Sequence, residues 1–409
     1  MIWRERSRMD ERMLLVSEYL RGEKTMASIC EAYGVSRKTG YKWVQRYGQY
    51  GPEGLTDQSR APQRHPNRLD AAIVEQLIEA RKARPHWGAR KILAWLAKKK
   101  PTLALPAPST VSALYSRHGL SRRRQPRRRT SPYTEPFADA DAPNRVWCAD
   151  FKGDFYTGDR TRCYPLTITD AHSRMLLCCR ALRSTKTVTA MKVFEEVFRK
   201  YGMPDCIRTD NGTPFSSRAP AGLSELSVWW VKLGIRHERI EPGRPDQNGR
   251  HERMHRTLKE ETLRPPARTF QAQQRRFDVF RKDYNEERPH EALQNVAPDS
   301  IYVPSSRPLP RRLAQIAYPD DFVTKQLSEC GRFRWCSKLV VVSRVLAGEL
   351  IGIKEDGAVA HVYFSDVHLG TIDSKRLELG LIRPPPTTWA RTDGDPEYRP
   401  TRRRSRGLV

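Results

Sequence analysis

No apolar run in this 409-residue sequence approaches the roughly 18–20 residues needed to cross a bilayer. The opening stretch, MIWRERSRMDERM, also lacks the apolar segment of a secretory leader. A membrane or exported protein is therefore not expected, and a cytoplasmic, nucleoid-associated one is. Zinc-type cysteine spacing is missing too: of eight cysteines, none forms a CxxC pair or has histidine partners at zinc-finger distances. A disulfide framework does not suit so long and basic a chain, so the cysteines read as reduced thiols, mostly filling cores. Acidic residues are the scarce class, 47 Asp and Glu against 74 Lys and Arg, which leaves a net charge of +27.

The shortage of acid is local. Residues 1–130 hold 28 Lys and Arg against 11 Asp and Glu, a net of +17, whereas residues 131–300 hold 28 and 24. At about 150 residues per domain, three domains are the starting expectation. The first reads as a polyanion-binding module placed ahead of a nearly neutral one. The competing reading is a solvated surface kept soluble by charge, but the basic third also carries helix-turn-helix patterning.

Met13, Leu14, Tyr19 and Leu20 make an apolar helix face ending at Arg21-Gly22. Thr25 is placed to cap a short helix carrying Ile29, Cys30 and Tyr33. Gly34 supplies a turn, and Ser36 caps a helix that shows Arg37, Lys38 and Lys42 while Val35, Tyr41 and Val44 pack inward. That layout presents the second helix to DNA, with Arg37, Lys38 and Lys42 as candidate contacts. A second helical unit spans about 70–120. Its last helix, from Ser109-Thr110, carries Val111, Leu114 and Tyr115, and is either another recognition helix or a packing helix. Arg122, Arg123, Arg124, Arg127, Arg128 and Arg129 follow, a self-repelling run suited to phosphates with little base specificity.

From Arg145 the pattern turns to strands. Residues 146–155 alternate so that Cys148, Asp150, Lys152 and Asp154 share one face. Further strands are expected at Tyr164–Thr169, Met175–Ala181, Cys206–Thr209 and Ile235–Ile240, with helices at Thr187–Lys200, Leu226–Leu233 and about Asp246–Glu261. Three hairpin-like strands followed by alternating helices and strands predict an α/β domain with a mixed sheet. Asp150 is an acidic residue on a central strand, Asp210 closes another strand at its carboxyl end, and Glu252 lies on the last helix. Three converging carboxylates call for cations between them, and all-oxygen donors suit Mg2+ or Mn2+ rather than zinc.

These residues carry a resemblance. Trp147-x-x-Asp150-Phe151, Thr209-Asp210-Asn211-Gly212, Pro245-x-Gln247-Asn248-Gly249-x-x-Glu252 with Leu258-Lys259, and Tyr284-Asn285-x-x-Arg288-Pro289-His290-x-Ala292-Leu293 resemble the integrase core of DDE transposases and retroviral integrases. With the amino-terminal helix-turn-helix, the chain resembles a single-frame bacterial insertion-sequence transposase. The specific motifs cover about 145–300, with weaker support over 11–120. The resemblance implies a ribonuclease-H-like sheet in which Asp150, Asp210 and Glu252 are catalytic and bind two Mg2+ ions, replaceable by Mn2+. It implies two-metal phosphoryl transfer, with cleavage at an element end and attack of the freed 3′-OH on a second strand. Asn248, Arg256 and Lys259, at i−4, i+4 and i+7 from Glu252, would then touch DNA beside the scissile phosphate; a solvated helix face is the alternative. The implied partners are terminal inverted repeats, target DNA and further copies of this chain, because two element ends must be joined.

The chain also departs from the pattern. Forty-one residues separate Asp210 from Glu252, more than is usual in retroviral integrases, and Ser216–Leu223 reads as a lengthened surface loop. The retroviral amino-terminal His/Cys module is absent. Each carboxylate has a rival reading: Asp150 as a partner of Lys152 or a turn cap, Asp210 as a turn residue, and Glu241, Glu260 or Glu261 in place of Glu252. Asp154 and Asp170 are placed near the site edge and not taken as ligands. Nothing in the sequence makes His251 or His255 a general base.

Past residue 310, short β-rich runs separated by Gly or Asp-Gly suggest a small β-barrel, and a polar, Arg-rich tail follows. The expected division is a helix-turn-helix domain at 1–60, a second helical domain at 67–120, an Arg-rich linker at 121–140, a catalytic core at 141–305, a small β-barrel at 318–382 and a basic tail at 383–409. Two other functions stay open: a catalytically inactive DNA-binding regulator derived from a transposase, and a metal-dependent nuclease without strand transfer.

Overall fold

Three hydroxyl caps start the helices of the first of two compact units, Met1–Asp70. Ser7 and Asp10 form a reciprocal capping box on α1 (Arg8–Arg21), Thr25 caps α2 (Met26–Ala32), and Ser36 caps α3 (Arg37–Tyr50). Leu15, Val16, Ile29, Trp43 and Leu55 form the core between them. Helices α2 and α3 cross so closely that a Cβ on Gly40 would lie 2.6 Å from Cys30 Sγ. Here the expected inward set needs correction: Tyr41 is 53% exposed and meets Tyr19 edge-on. The buried stripe of α3 runs through Gly40 and Trp43, and Tyr41 lies about 100° away from Gly40 around the helix.

The computed structural model describes residues 7–59, 69–121, 139–241 and 248–383. The six arginines of 122–129, the tail beyond 383, and Pro245 and Gln247 fall outside them. No helix of the described residues is long and apolar enough to cross a membrane.

The second unit begins with α4 (Ala71–Ala83), α5 (Ala89–Lys99) and α6 (Pro108–Arg117), closed around Leu77, Trp87, Ile92, Leu96, Val111 and Leu114. Helix α6 packs through Val111, Leu114 and Tyr115 and leaves Ser109, Ser112, Ala113, Ser116 and Arg117 exposed.

Next come β1 (Val146–Phe151), β2 (Phe155–Tyr156), β3 (Arg162–Asp170), β4 (Leu176–Leu182), α7 (Thr187–Tyr201), β5 (Cys206–Thr209), α8 (Glu225–Lys232), β6 (Arg236–Arg239), α9 (Gly249–Thr262) and α10 (Phe270–Lys282). The sheet runs β2-β3-β1-β5-β6 with β4 on β3; β3 is antiparallel to β1 and β4, and β1, β5 and β6 are parallel. The mixed sheet is as expected, but its first strand is shorter. β1 stops at Phe151, and Gly153 turns the chain at φ 84° before β2. Asp154 consequently leaves the face of Asp150 and pairs with Arg162 at 2.6 Å. Helices α7 and α8 cover one face of the sheet through Phe194, Phe198, Leu226 and Trp230, and α9 and α10 cover the other through Met254, Leu258, Phe277 and Phe280.

The carboxyl-terminal strands are β7 (Val323–Gln326), β8 (Arg332–Trp335), β9 (Lys338–Val341), β10 (Leu350–Asp356), β11 (Val359–Phe364) and β12 (Val367–Asp373). Among the described residues they do not close the expected barrel: an open sheet runs β12-β11-β10-β7, and β8 and β9 form a separate hairpin. Their apolar faces pack mainly on one another and, at one side, on the α/β domain. Leu223, Val228 and Val231 join Phe333, Trp335, Ile351, Ile353 and Val362 in one core. The Ser216–Leu223 segment is therefore more than a lengthened loop, since Ala219 and Ala221 also pack on that joint. All eight cysteines are free, six of them buried and Cys330 and Cys336 exposed.

Candidate active site

Alternation along β1 decides where Asp150 points. Trp147 and Ala149 enter the core beneath α7 and α8, so Cys148 and Asp150 take the opposite face, toward α9. The β1–β3 register sets Thr167 opposite Asp150 and Thr169 opposite Cys148, so both hydroxyls share that face. Helix α9 answers with His251, Met254, His255 and Leu258, all buried at i, i+3, i+4 and i+7. His255 Nδ1 lies 3.6 Å from Asp150 Oδ2. Ligand atoms of Asp150, His251 and His255 all lie within 4.8 Å of one another, the one such group of three among the described residues. Thr167 Oγ1 is 2.6 Å from His255 Nε2 and 2.8 Å from His251 Nε2, and Thr169 Oγ1 is 2.8 Å from His251 Nδ1.

Burial first, then the charge of Asp210 and more weakly that of Glu252, push the Asp150 carboxyl up to about 7; Lys152 and a backbone hydrogen bond pull the other way. Burial holds His251 down at about 3 and His255 well below its ordinary value, so both rings are neutral at neutral pH.

Asp210 follows the end of β5 and is also a turn residue: its Oδ1 accepts the Gly212 N–H at 3.1 Å, and Asn211 Nδ2 donates to the Ile240 carbonyl at 2.7 Å. The turn leaves the carboxylate charge acting on Asp150. Glu252 is exposed on the first turn of α9, with Arg256 and Lys259 exposed along the same face. Two of its rivals are engaged elsewhere, Glu261 with Arg288 at 2.6 Å and Glu260 facing His86 at 4.0 Å. Asp170 is buried at the end of β3, where it accepts from Asn144, His172 and Ser173. Asn248 departs from the exposed position expected of a DNA contact: it is buried at the start of α9, and its Oδ1 has no hydrogen-bond partner among the described residues. Arg37, Lys38 and Lys42 are exposed on α3, with Lys42 Nζ also 4.5 Å above the Trp43 ring.

Sequence reasoning missed the buried floor of this site. Its signals were the two threonines at alternate positions of an otherwise apolar strand and the i, i+4 histidines on the inner face of α9. It also left the Tyr284–Leu293 motif without a role. Asn285 is buried and clamps β4, accepting from Leu176 N–H at 2.8 Å and donating to Leu176 O at 3.0 Å. Just before the motif, Asp283 receives Arg84, which follows α4, and within it Glu287 receives Trp95 and Lys99 of α5. The motif thus ties the α4–α6 module to the core.

Residues 140–245 and 233–298 each match an integrase core domain, residues 11–63 a helix-turn-helix domain, and residues 39–115 a homeodomain-like domain. The chain is 30% identical over 239 residues to the insertion element IS407 uncharacterized 31.7 kDa protein of Burkholderia multivorans, covering 58% of this chain and 82% of that one. It is 28% identical over 251 residues to the insertion element IS476 uncharacterized 39.2 kDa protein of Xanthomonas euvesicatoria, covering 60% and 69%. Among solved structures, the HTLV-2 integrase catalytic core domain in complex with magnesium aligns at 16% identity and a TM-score of 0.32, over 40% of this chain and 99% of that one. The chain belongs to the insertion-sequence transposases built on an integrase core, within the polynucleotidyl transferase superfamily, with helix-turn-helix DNA-binding modules ahead of that core.

Proposed function

We propose that this transposase binds the terminal inverted repeats of its own element and catalyses metal-dependent strand cleavage and strand transfer, with Asp150, Asp210 and Glu252 as its catalytic carboxylates. The observation that carries the reading is the raised carboxyl of Asp150, pushed up first by burial and then by the charges of Asp210 and Glu252. The three come from β1, the turn after β5 and the first turn of α9. Like charges gathered this way are costly unless cations separate them, and oxygen donors at a half-buried site suit Mg2+ or Mn2+.

Asp150, Asp210 and Glu252 would hold two divalent ions. Bound there, the ions would activate the attacking oxygen and stabilise the leaving one during in-line displacement at phosphorus. The protein's own part is positioning. The turn through Asn211 and Gly212 sets the Asp210 carboxylate, and the packed inner face of α9 fixes where Glu252 projects. Arg256 and Lys259, exposed beside Glu252, are placed to take DNA phosphates, and Arg37, Lys38 and Lys42 supply affinity from the first unit. In the cell the working form is an oligomer, because two element ends are joined together.

The test is a strand-transfer assay on DNA carrying the flanking repeats, with Mg2+, Mn2+ or EDTA and an Asp210→Ala control. Joining that needs metal and vanishes in the control is expected. Cleavage without joining would make the protein a nuclease, and tight repeat binding without chemistry would make it a regulator.

A further inference from the structure

The polar floor beneath Asp150 carries an inference that rests on the carboxylate reading above and extends it. Thr167 Oγ1 has a single hydrogen, and it donates to the Asp150 backbone carbonyl at 3.1 Å. With that hydrogen placed there, its lone pairs face His255 Nε2 at 2.6 Å and His251 Nε2 at 2.8 Å, and in the matching tautomer both of those nitrogens carry hydrogen. A buried imidazole with no charged hydrogen-bond partner stays neutral, which leaves each Nδ1 as a bare lone pair. On His251 that lone pair is used, because the Thr169 hydroxyl donates to it at 2.8 Å.

On His255 it faces a carboxylate. Nδ1 and Asp150 Oδ2 stand 3.6 Å apart, too far for a hydrogen bond, and in that tautomer both present electron pairs. Such a pair is unfavourable until a cation comes between its members. Two donors each about 2.1 Å from one ion stand roughly 3.0–3.4 Å apart, so closing the gap takes a few tenths of an ångström. We propose that His255 Nδ1 is a metal ligand that shares a divalent cation with Asp150 Oδ2, which makes the site a mixed nitrogen–oxygen one. His251 is not a ligand: both its nitrogens are committed to threonines, and its ring buttresses His255 at 4.5 Å between centroids.

An imidazole donor favours Mn2+ over Mg2+, which prefers oxygen alone. Without His255, Mn2+ binding should weaken by about 10-fold or more while Mg2+ binding changes by less than about 3-fold.

The experiment is pulsed electron paramagnetic resonance on Mn2+ bound to the full chain, prepared with natural and with 15N-labelled histidine. Asp150→Asn identifies the signal that belongs to this site. The expected result is an Asp150-dependent nitrogen coupling of a directly bound imidazole that changes with the label and disappears in His255→Gln. Asp150-dependent Mn2+ binding with no such coupling in the wild-type chain would overturn the proposal and leave the carboxylate site standing. In that case His255 only orients Asp150 through an Nδ1–H. A coupling that survives His255→Gln would overturn it as well, and Mn2+ binding indifferent to Asp150→Asn would overturn both readings. Because the wild-type spectrum alone can refute the assignment, the test does not depend on the folding of the variant.

Discussion

Replacing Asn285 with alanine should cost the second unit about 4 kcal/mol. Asn285 is 4% exposed and Leu176 0%, and the carboxamide satisfies both backbone polar groups of Leu176 at the start of β4. Alanine would strand a buried N–H and a buried carbonyl together. Each unsatisfied group costs about 1–3 kcal/mol, so the pair costs about 2–6. Asn285→Asp gives a sharper version. It keeps an acceptor for the Leu176 N–H but sets a carboxylate oxygen against the Leu176 carbonyl, so at pH 7 its loss should at least equal that of alanine. Part of that loss should return in acid, where a protonated carboxyl donates again. Urea denaturation of the full chain, followed by circular dichroism, measures both, with the first unit's transition as internal reference. A loss below about 1 kcal/mol for Asn285→Ala would refute the reasoning, because it would mean that water or a shifted backbone satisfies Leu176.

Three further expectations concern other parts of the chain. Arg288→Ala should destabilise the same unit by about 3–5 kcal/mol, because it leaves Glu261 charged in a buried pair; the double change Arg288→Met with Glu261→Leu should lose less in the same denaturation experiment. Acid should expose the buried histidines. His237 is pushed down to about 3 by burial, so the unfolded chain takes its proton near 6.5 and the folded chain does not. Its stability contribution is complete above about 6.5 and falls as the pH drops toward 3, by roughly 2 kcal/mol at pH 5. Asp150 works in the opposite direction, so the measurement is the difference in pH slope between wild type and His237→Gln without metal, expected to be one proton between pH 6 and 4. Finally, alanine at Arg37, Lys38 or Lys42 should weaken repeat binding and lower the slope of log affinity against log salt by about 1 for each phosphate no longer neutralised, leaving the core's melting unchanged.

Much of the architecture was legible before any coordinates. Ser36 and Thr25 announced their helices through capping chemistry that depends only on neighbours in sequence. Alternation in 146–150 and Asp210 at a strand end likewise follow from local periodicity. Tyr41 was misjudged because an apolar residue beside an apolar stripe looks the same as one within it until the partner helix is known. Asp154 was misplaced for a related reason: one glycine at φ 84° ends the strand's alternation, and a reading of period two runs straight through it. The β-rich runs past residue 310 were legible as strands, but which of them pair was not: among the described residues they form an open sheet and a separate hairpin that share one core.

What this sequence determined by itself is the set of elements, the polarity of their faces and the residue types able to hold a cation, since those rest on spacing along one strand or one helix. Only the tertiary structure decided which distant groups meet. The pairing of Thr167 with Asp150, the two histidines of α9 beneath that carboxylate and the clamp of Asn285 on Leu176 join residues 17 to 109 positions apart. Their energies come from burial and hydrogen bonding between segments; local patterns mark which residues face inward but not which partners they meet.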